Sequence, residues 1–206
     1  MRFLTTCLLI STFSLLAFKT DSVIGYEIGD KATGFELINA SQTVNGLDKT
    51  VSLDDYKNAK GFVIVFTCNH CPFSKAYEDR IIALQKKYEK KGIHVVAINP
   101  NDKERQPDDS YENMKIRAKE KGFNFAYLYD ETQDIAKAYG ARKTPHVYLL
   151  DSKKEVKYIG AIDDSMEGGD SVKKKYVEDA IAEMLNGKPI TKSSSKAIGC
   201  TIKWRQ

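Results

Sequence analysis

GFVIVFTCNHCP, residues 61–72, joins a continuous apolar run to two cysteines and a proline. Residues 61–66 have strand length and are rich in β-branched side chains, which predicts a strand covered on both faces. From Phe73 to Lys91 apolar residues recur at a spacing near 3.6, and Pro72 is acceptable in a first helical turn. A helix therefore begins within the C-x-x-C segment, directly after a buried strand.

The residues around this unit extend the same alternation. Gly92 ends the helix as a C-cap, and the apolar run 93–98 predicts a second buried strand, so strand, helix and strand form a parallel crossover. Further helices are predicted at 110–121, 131–139 and 172–185, and further strands at 123–129, 146–150 and 155–162. Asn45-Gly46 favours an N-terminal hairpin between residues 30–37 and 43–53. The fold class is α/β, a mixed sheet flanked by helices.

Length and composition limit the function classes. The chain has 206 residues, 42% of them hydrophobic, which suits one soluble domain with a short appendage. Its formal net charge is +4, and the lysines are interleaved with acids, which argues against nucleic acid as a partner. We expect a domain at 26–190 and a C-terminal tail at 191–206.

The N-terminus has the layout of an export signal. Arg2 precedes the uncharged apolar run 3–18, which is shorter than the roughly 20 residues of a membrane span. Residues 1–25 are therefore predicted to be a signal peptide, cleaved at about 22–25. The chain is expected to be exported and periplasmic or otherwise extracytoplasmic; an uncleaved membrane anchor at 3–18 is the alternative.

Cysteine number and placement point to redox chemistry. Beyond Cys7 in the apolar run, the cysteines are Cys68, Cys71 and Cys200, an odd number for a structural framework. A helix N-terminus favours a thiolate, so we expect Cys68 to be exposed, to have a depressed pKa and to act as the nucleophile. Cys71, one turn later, is the predicted resolving thiol. They would form a redox-active Cys68–Cys71 disulfide that needs no cofactor.

Several phrases of the chain resemble the thioredoxin superfamily and, within it, a peroxiredoxin-like, AhpC/TSA-related group. They are Phe66-Thr-Cys-Asn-His-Cys-Pro72, Tyr77-Glu-Asp-Arg80, Ala97-Ile-Asn-Pro-Asn-Asp102, Asp130-Glu-Thr-Gln133, Thr144-Pro-His146 and Gly199-Cys-Thr-Ile-Lys-Trp204. Together they cover nearly all of the chain after Tyr26. The resemblance implies a thioredoxin-like fold with an N-terminal hairpin extension and a docked C-terminal tail.

The resemblance also implies roles for individual residues. Pro145 would be cis and lie against the disulfide, and the Thr144 backbone would meet an extended partner chain. His70 resembles the histidine of oxidising exchange enzymes, where a cationic imidazole stabilises the thiolate. The chain departs from two related patterns. The peroxidatic Pro-x-x-x-Thr/Ser-x-x-Cys frame is missing, and Thr67 and Phe62 replace the tryptophan and buried acid of thioredoxins. Both departures weaken the expectation of peroxidase activity or fast general reduction.

The C-terminal tail contains the remaining cysteine. Ile202 and Trp204 predict that the tail docks on the domain. Docking would make Cys200 a third exchange thiol; the alternative is a buried, inert thiol beneath Trp204. A Cα separation far beyond roughly 7 Å from Cys68 would reject direct exchange between the two in that conformation.

Three functions compete at this stage. The leading one is an exported thiol–disulfide oxidoreductase that exchanges with a protein thiol or disulfide partner or an electron donor. The second is a soft-metal, copper-handling assembly factor with Cys68, Cys71 and either His70 or His146 as ligands. The third is a thiol-dependent peroxidase. The direction of electron flow and the oligomeric state are left open.

Overall fold

The computed structural model describes residues 25–206. The predicted signal peptide and Cys7 therefore lie outside the described residues, apart from Gly25 at the predicted boundary. The strands are β1 (Glu36–Asn39), β2 (Thr50–Ser52), β3 (Gly61–Phe66), β4 (Ile93–Asn99), β5 (Ala126–Tyr129), β6 (Lys143–Thr144), β7 (His146–Asp151), β8 (Val156–Gly160) and β9 (Cys200–Thr201). The α-helices are α1 (Pro72–Tyr88), α2 (Tyr111–Lys121), α3 (Asp134–Tyr139) and α4 (Tyr176–Leu185).

A mixed seven-stranded sheet is the centre of the fold, in the order β2-β1-β5-β4-β3-β7-β8. β3 pairs in parallel with β4, and β4 pairs in parallel with β5, so α1 is the crossover predicted between β3 and β4. β7 runs antiparallel to both β3 and β8, as the short connection predicts. β1 and β2 form the expected antiparallel N-terminal extension.

Both faces of β3 are covered. Val63 and Val65 belong to one apolar cluster, which includes residues of α1, α2 and α4. Phe62, Ile64 and Phe66 belong to a second cluster on the other face, which includes residues of α3. Because all six residues of β3 are buried, the continuous apolar run is explained by two-sided packing.

Five predicted elements begin later than expected: β1 at Glu36 and β2 at Thr50, with Asn45-Gly46 inside the longer loop 40–49 that connects them, and α3, β5 and α4 three or four residues late. The residue before α3, Gln133, has φ 66°, and the Asp130 carboxylate accepts a hydrogen bond from the Ala136 N–H, so the helix starts after this turn. The Phe123 N–H donates to the Ala118 carbonyl, which extends the end of α2 and delays β5 to Ala126. α4 begins at Tyr176 instead of residue 172.

The C-terminal tail docks on the domain, as predicted. β9 pairs antiparallel with β6 in a small second sheet. Ile202 is buried in the second apolar cluster, and Trp204 packs against that cluster. Among residues 25–206, no helix combines the length and the hydropathy required to cross a bilayer.

Candidate active site

The docked tail brings Cys200 into a disulfide bond with Cys71, across a Cα–Cα distance of 6.1 Å. Cys68 is a free thiol. The prediction that docking places Cys200 beside the C-x-x-C segment is confirmed, and Cys200 is a disulfide partner rather than an inert thiol. The pairing differs from the expected Cys68–Cys71 couple because β9 places Cys200 directly opposite Thr144, next to Cys71.

The prediction that Cys68 is exposed with a depressed pKa is wrong. Its side chain is only 2% exposed, and this burial raises the pKa of the thiol, as does the nearby Asp109 carboxylate. Hydrogen bonds with Thr144 and Ser74 and the Cys71 backbone act in the opposite direction without reversing the shift. The helix begins where expected, with Cys71 as the N-cap of α1, but the surrounding chain removes Cys68 from water. Burial therefore decides the direction in which the pKa of Cys68 shifts.

Thr144 contacts both sulfurs of the C-x-x-C segment. Its Oγ1 lies 3.1 Å from Cys68 Sγ, and its carbonyl oxygen lies 3.3 Å from Cys71 Sγ. The following peptide bond, Thr144–Pro145, is cis, as the resemblance implied. Thr144, which lies 73 residues after Cys71 in the chain, is thus brought into contact with both cysteines, and the cis Pro145 follows it directly.

The strand edge beside the cis proline is occupied by the chain's own tail. Thr144 pairs with Cys200 and Lys143 pairs with Thr201 in an antiparallel ladder. Gly199 packs directly on this edge, and a Cβ at residue 199 would lie 2.2 Å from the Thr144 carbonyl oxygen. This is the edge at which the resemblance predicted an extended partner chain.

Asp109 is a central site residue that the sequence analysis missed. It is fully buried and accepts hydrogen bonds from the Asn69 N–H at 2.6 Å and from the His70 N–H at 3.3 Å. Its other oxygen accepts from Asn101 Nδ2 at 2.6 Å and lies 2.5 Å from His70 Nδ1. The imidazole expected to support Cys68 is therefore paired with Asp109. Asp109 is 40 residues from Asn69 in sequence and resembles any loop acid, so no local signal could have identified it.

Two further polar side chains join this network to the rest of the domain. The Tyr127 hydroxyl of β5 donates to Asn69 Oδ1 at 2.8 Å. Asn101, which donates to Asp109, accepts at its Oδ1 a hydrogen bond from the Lys203 N–H at 2.8 Å. The C-x-x-C loop and the tail are thus held by one connected set of buried and partly buried hydrogen bonds.

Metal-ligating atoms also converge here. Cys68, His70 and Asp109 each offer one such atom, all within 4.8 Å of one another. However, both Asp109 oxygens already accept hydrogen bonds, and the predicted ligand Cys71 has its sulfur in the disulfide. His146, the other predicted ligand, has a buried Nδ1 without a hydrogen-bond partner and a pKa lowered to about 4, chiefly by burial and also by Arg142. The arrangement suits thiol chemistry better than the predicted metal set.

Comparison with known proteins agrees with this fold. Residues 28–159 match the model of the AhpC/TSA family. The chain is 27% identical to the thiol-disulfide oxidoreductase ResA of Oceanobacillus iheyensis, over 73% of this chain and 74% of that protein. Two solved structures are similar over most of their length. An uncharacterized conserved protein of Geobacillus kaustophilus has 42% identity and a TM-score of 0.78, over 87% of this chain and 93% of the other. The hypothetical protein SMc02350 of Sinorhizobium meliloti has 32% identity and a TM-score of 0.79, over 88% and 96%.

The family match covers most of the mixed sheet, the C-x-x-C segment and the cis proline. These are the features on which the thioredoxin-like fold was predicted. The chain is therefore an oxidoreductase that belongs to the AhpC/TSA family and has a thioredoxin-like fold.

Proposed function

We propose that the protein is an exported thiol–disulfide oxidoreductase that works by exchange among Cys68, Cys71 and Cys200 and a protein partner. One observation supports this most directly: Thr144 contacts the free Cys68 thiol and the disulfide-bonded Cys71 at the same time. A thiol that shares a neighbour with a disulfide is suitably placed to attack it. Thiol–disulfide exchange requires no organic cofactor.

The first exchange step takes place within the chain. The Cys68 thiolate attacks Cys71 Sγ, the Cys68–Cys71 bond forms, and the Cys71–Cys200 bond breaks with its electron pair on Cys200. Cys68 gives up its proton to solvent, and the Cys200 thiolate takes one. The product is the Cys68–Cys71 couple predicted from the sequence, which then oxidises a partner dithiol or is reduced by a donor.

Burial of Cys68 controls this step. Because desolvation raises the pKa of the Cys68 thiol, the protonated form is favoured at rest. The nucleophile is the thiolate, so the internal exchange is expected to accelerate as pH increases.

Trapping tests the exchange chemistry. Cys71→Ser removes the resolving sulfur, so a partner disulfide attacked by Cys68 should remain as a stable mixed disulfide, detected by mass spectrometry after acid quenching. Cys200→Ser, which keeps the C-x-x-C pair, is the matched control and should turn over without accumulating this adduct. The proposed function would be contradicted if no adduct is trapped and no exchange activity is found with any disulfide.

The reduction potential of the Cys68/Cys71 couple would give the direction of electron flow. A value near roughly −270 mV is typical of a reductase, whereas roughly −120 to −180 mV is typical of an oxidase or isomerase. Equilibration of the Cys200→Ser variant with glutathione buffers measures this couple without the competing bond.

Export is supported by the N-terminal pattern, a basic residue followed by the apolar run 3–18. The N-terminal sequence of the protein recovered from cell fractions tests it. A start at about residues 23–26 in a soluble extracytoplasmic fraction supports cleavage, and an intact N-terminus in membranes supports the anchor.

A further inference from the structure

We propose that tail residues 199–204 occupy the place of a substrate. The edge of β6 binds an extended segment with a glycine before its cysteine, and the tail must leave before a partner's segment can bind. This inference rests on the proposed exchange function and adds the class of partner and the regulation of its access.

The tail already makes the contacts that an exchanging peptide would need. Cys200 faces Thr144 in an antiparallel pair, and its sulfur is bonded to Cys71. Strand addition to a free edge is a common way to bind an extended peptide, since the backbone supplies the affinity and side chains supply the specificity. A mixed disulfide with a partner bound in this way would repeat the present geometry.

Gly199 indicates what such a partner must carry. A Cβ at residue 199 would lie 2.2 Å from the Thr144 carbonyl oxygen and 3.0 Å from the Pro145 nitrogen. Both atoms belong to the backbone, so a larger residue cannot be accommodated by rotating a side chain. A segment that binds in the same register therefore needs glycine directly before its cysteine.

Access to the site is closed while the tail is docked. Cys68 is 2% exposed, and Cys71 and Thr144 are fully buried. No outside disulfide can reach either sulfur of the C-x-x-C segment in this conformation. The sulfur of Cys71 is bonded to Cys200 of β9, so exchange with a partner requires displacement of β9.

Reversible contacts hold the tail beside the disulfide. Ile202 is buried, the Asp102 N–H donates to the Lys203 carbonyl at 3.0 Å, and the Arg205 N–H donates to Gln133 Oε1 at 2.7 Å. When Cys68 displaces Cys200 from Cys71, the covalent tie is lost while these contacts remain. The tail then competes with a partner for the edge as a tethered segment, at high effective concentration.

A peptide-exchange experiment tests this in the full chain. The probe is a synthetic peptide with the sequence of residues 199–204, activated at its cysteine as a disulfide with 5-thio-2-nitrobenzoate. Protein reduced beforehand attacks the peptide cysteine, a mixed disulfide forms, and the coloured thiolate leaves. The double variant Ile202→Ser/Trp204→Ser should react at least tenfold faster than the wild type. Ile198→Ser, at a tail residue that is 58% exposed, is the matched control and should react at the wild-type rate.

Two additional measurements separate tail displacement from a loss of folding and from a general change in thiol reactivity. Gly199→Val displaces the tail while keeping every apolar side chain of the chain, and it should accelerate the reaction similarly, which covers the case in which the double variant does not fold. A probe with valine in place of its glycine should react at least tenfold more slowly than the original. Equal rates for wild type and undocked variants, or equal rates for the two probes, would overturn the inference. If glutathione disulfide also reacts with none of the variants, the proposed exchange function itself is wrong. If glutathione disulfide reacts normally, only the proposed role of the tail is wrong.

Discussion

Replacement of the buried Asp109 by asparagine separates its structural role from its electrostatic role. The carboxylate accepts hydrogen bonds through both oxygens, and its charge raises the pKa of the Cys68 thiol. Asp109→Asn keeps the shape and one acceptor oxygen, which still serves the Asn69 N–H. The second oxygen becomes an NH₂ group that faces the donor Asn101 Nδ2 and the ring of His70.

The cost in stability follows from these contacts. A buried donor left without its acceptor costs about 1–3 kcal/mol. Asn101 Nδ2 is buried and would carry this cost in full, whereas the His70 ring is 17% exposed and reaches water in part. We therefore expect Asp109→Asn to lower the free energy of unfolding by about 2–3 kcal/mol, measured by urea denaturation.

The charge effect has the opposite sign for Cys68. Loss of the negative charge stabilises the thiolate, so the pKa of Cys68 should decrease. The assay follows the ultraviolet absorbance of the Cys68 thiolate across pH in a Cys71→Ser/Cys200→Ser background, which requires no reagent to reach the buried sulfur. The midpoint of this titration should move to lower pH although the protein is less stable.

Asp108→Asn provides the matched control because this neighbouring carboxylate is exposed and contacts the Cys68 loop only through its backbone carbonyl. It should change neither the stability nor the midpoint. An Asp109→Asn midpoint that stays in place or moves to higher pH would refute the electrostatic argument, whatever happens to stability.

Two further predictions concern other buried polar groups. Burial lowers the pKa of His146 to about 4, so the unfolded chain binds a proton that the folded chain does not, and stability should decrease by as much as about 3 kcal/mol as pH falls from 6.5 to 4. His146→Phe should remove this part of the pH dependence in thermal or urea unfolding, and an unchanged slope would contradict it. Arg117→Met should destabilise the protein by about 2–3 kcal/mol, because Glu78 is 5% exposed and would keep only Lys121, at 3.9 Å. Lys119→Met, at an exposed position of the same helix, is the control; equal urea midpoints for the two variants would refute the argument.

The central elements of the fold could be predicted because their signals are local. An apolar run of strand length, the periodicity of α1 and the C-cap at Gly92 were enough for β3, α1 and β4. Boundaries were missed where a distant or unusual backbone contact decided them, as at Gln133 with its positive φ.

The candidate site was predicted in most of its members but not in its state. Cys68 and Cys71 are recognisable by type and spacing, Thr144 and Pro145 were implied by the family resemblance, and Asp109 was missed. The burial of Cys68 was missed because the field of a helix N-terminus is a local property, whereas desolvation depends on everything that packs around the thiol.

From the amino-acid sequence alone we could infer the sheet and helix pattern, the redox character of the cysteines and the docking of the C-terminal tail through Ile202 and Trp204. These follow from periodicity, residue type and spacing, which short stretches of chain contain in full. The three-dimensional structure was needed to show that Cys200 pairs with Cys71, that Asp109 holds the C-x-x-C loop and that the tail fills the edge of β6. Each of these depends on a contact between residues far apart in the chain. Such contacts exist only after the folded sheet has brought the C-x-x-C loop, the Asp109 loop and the tail together.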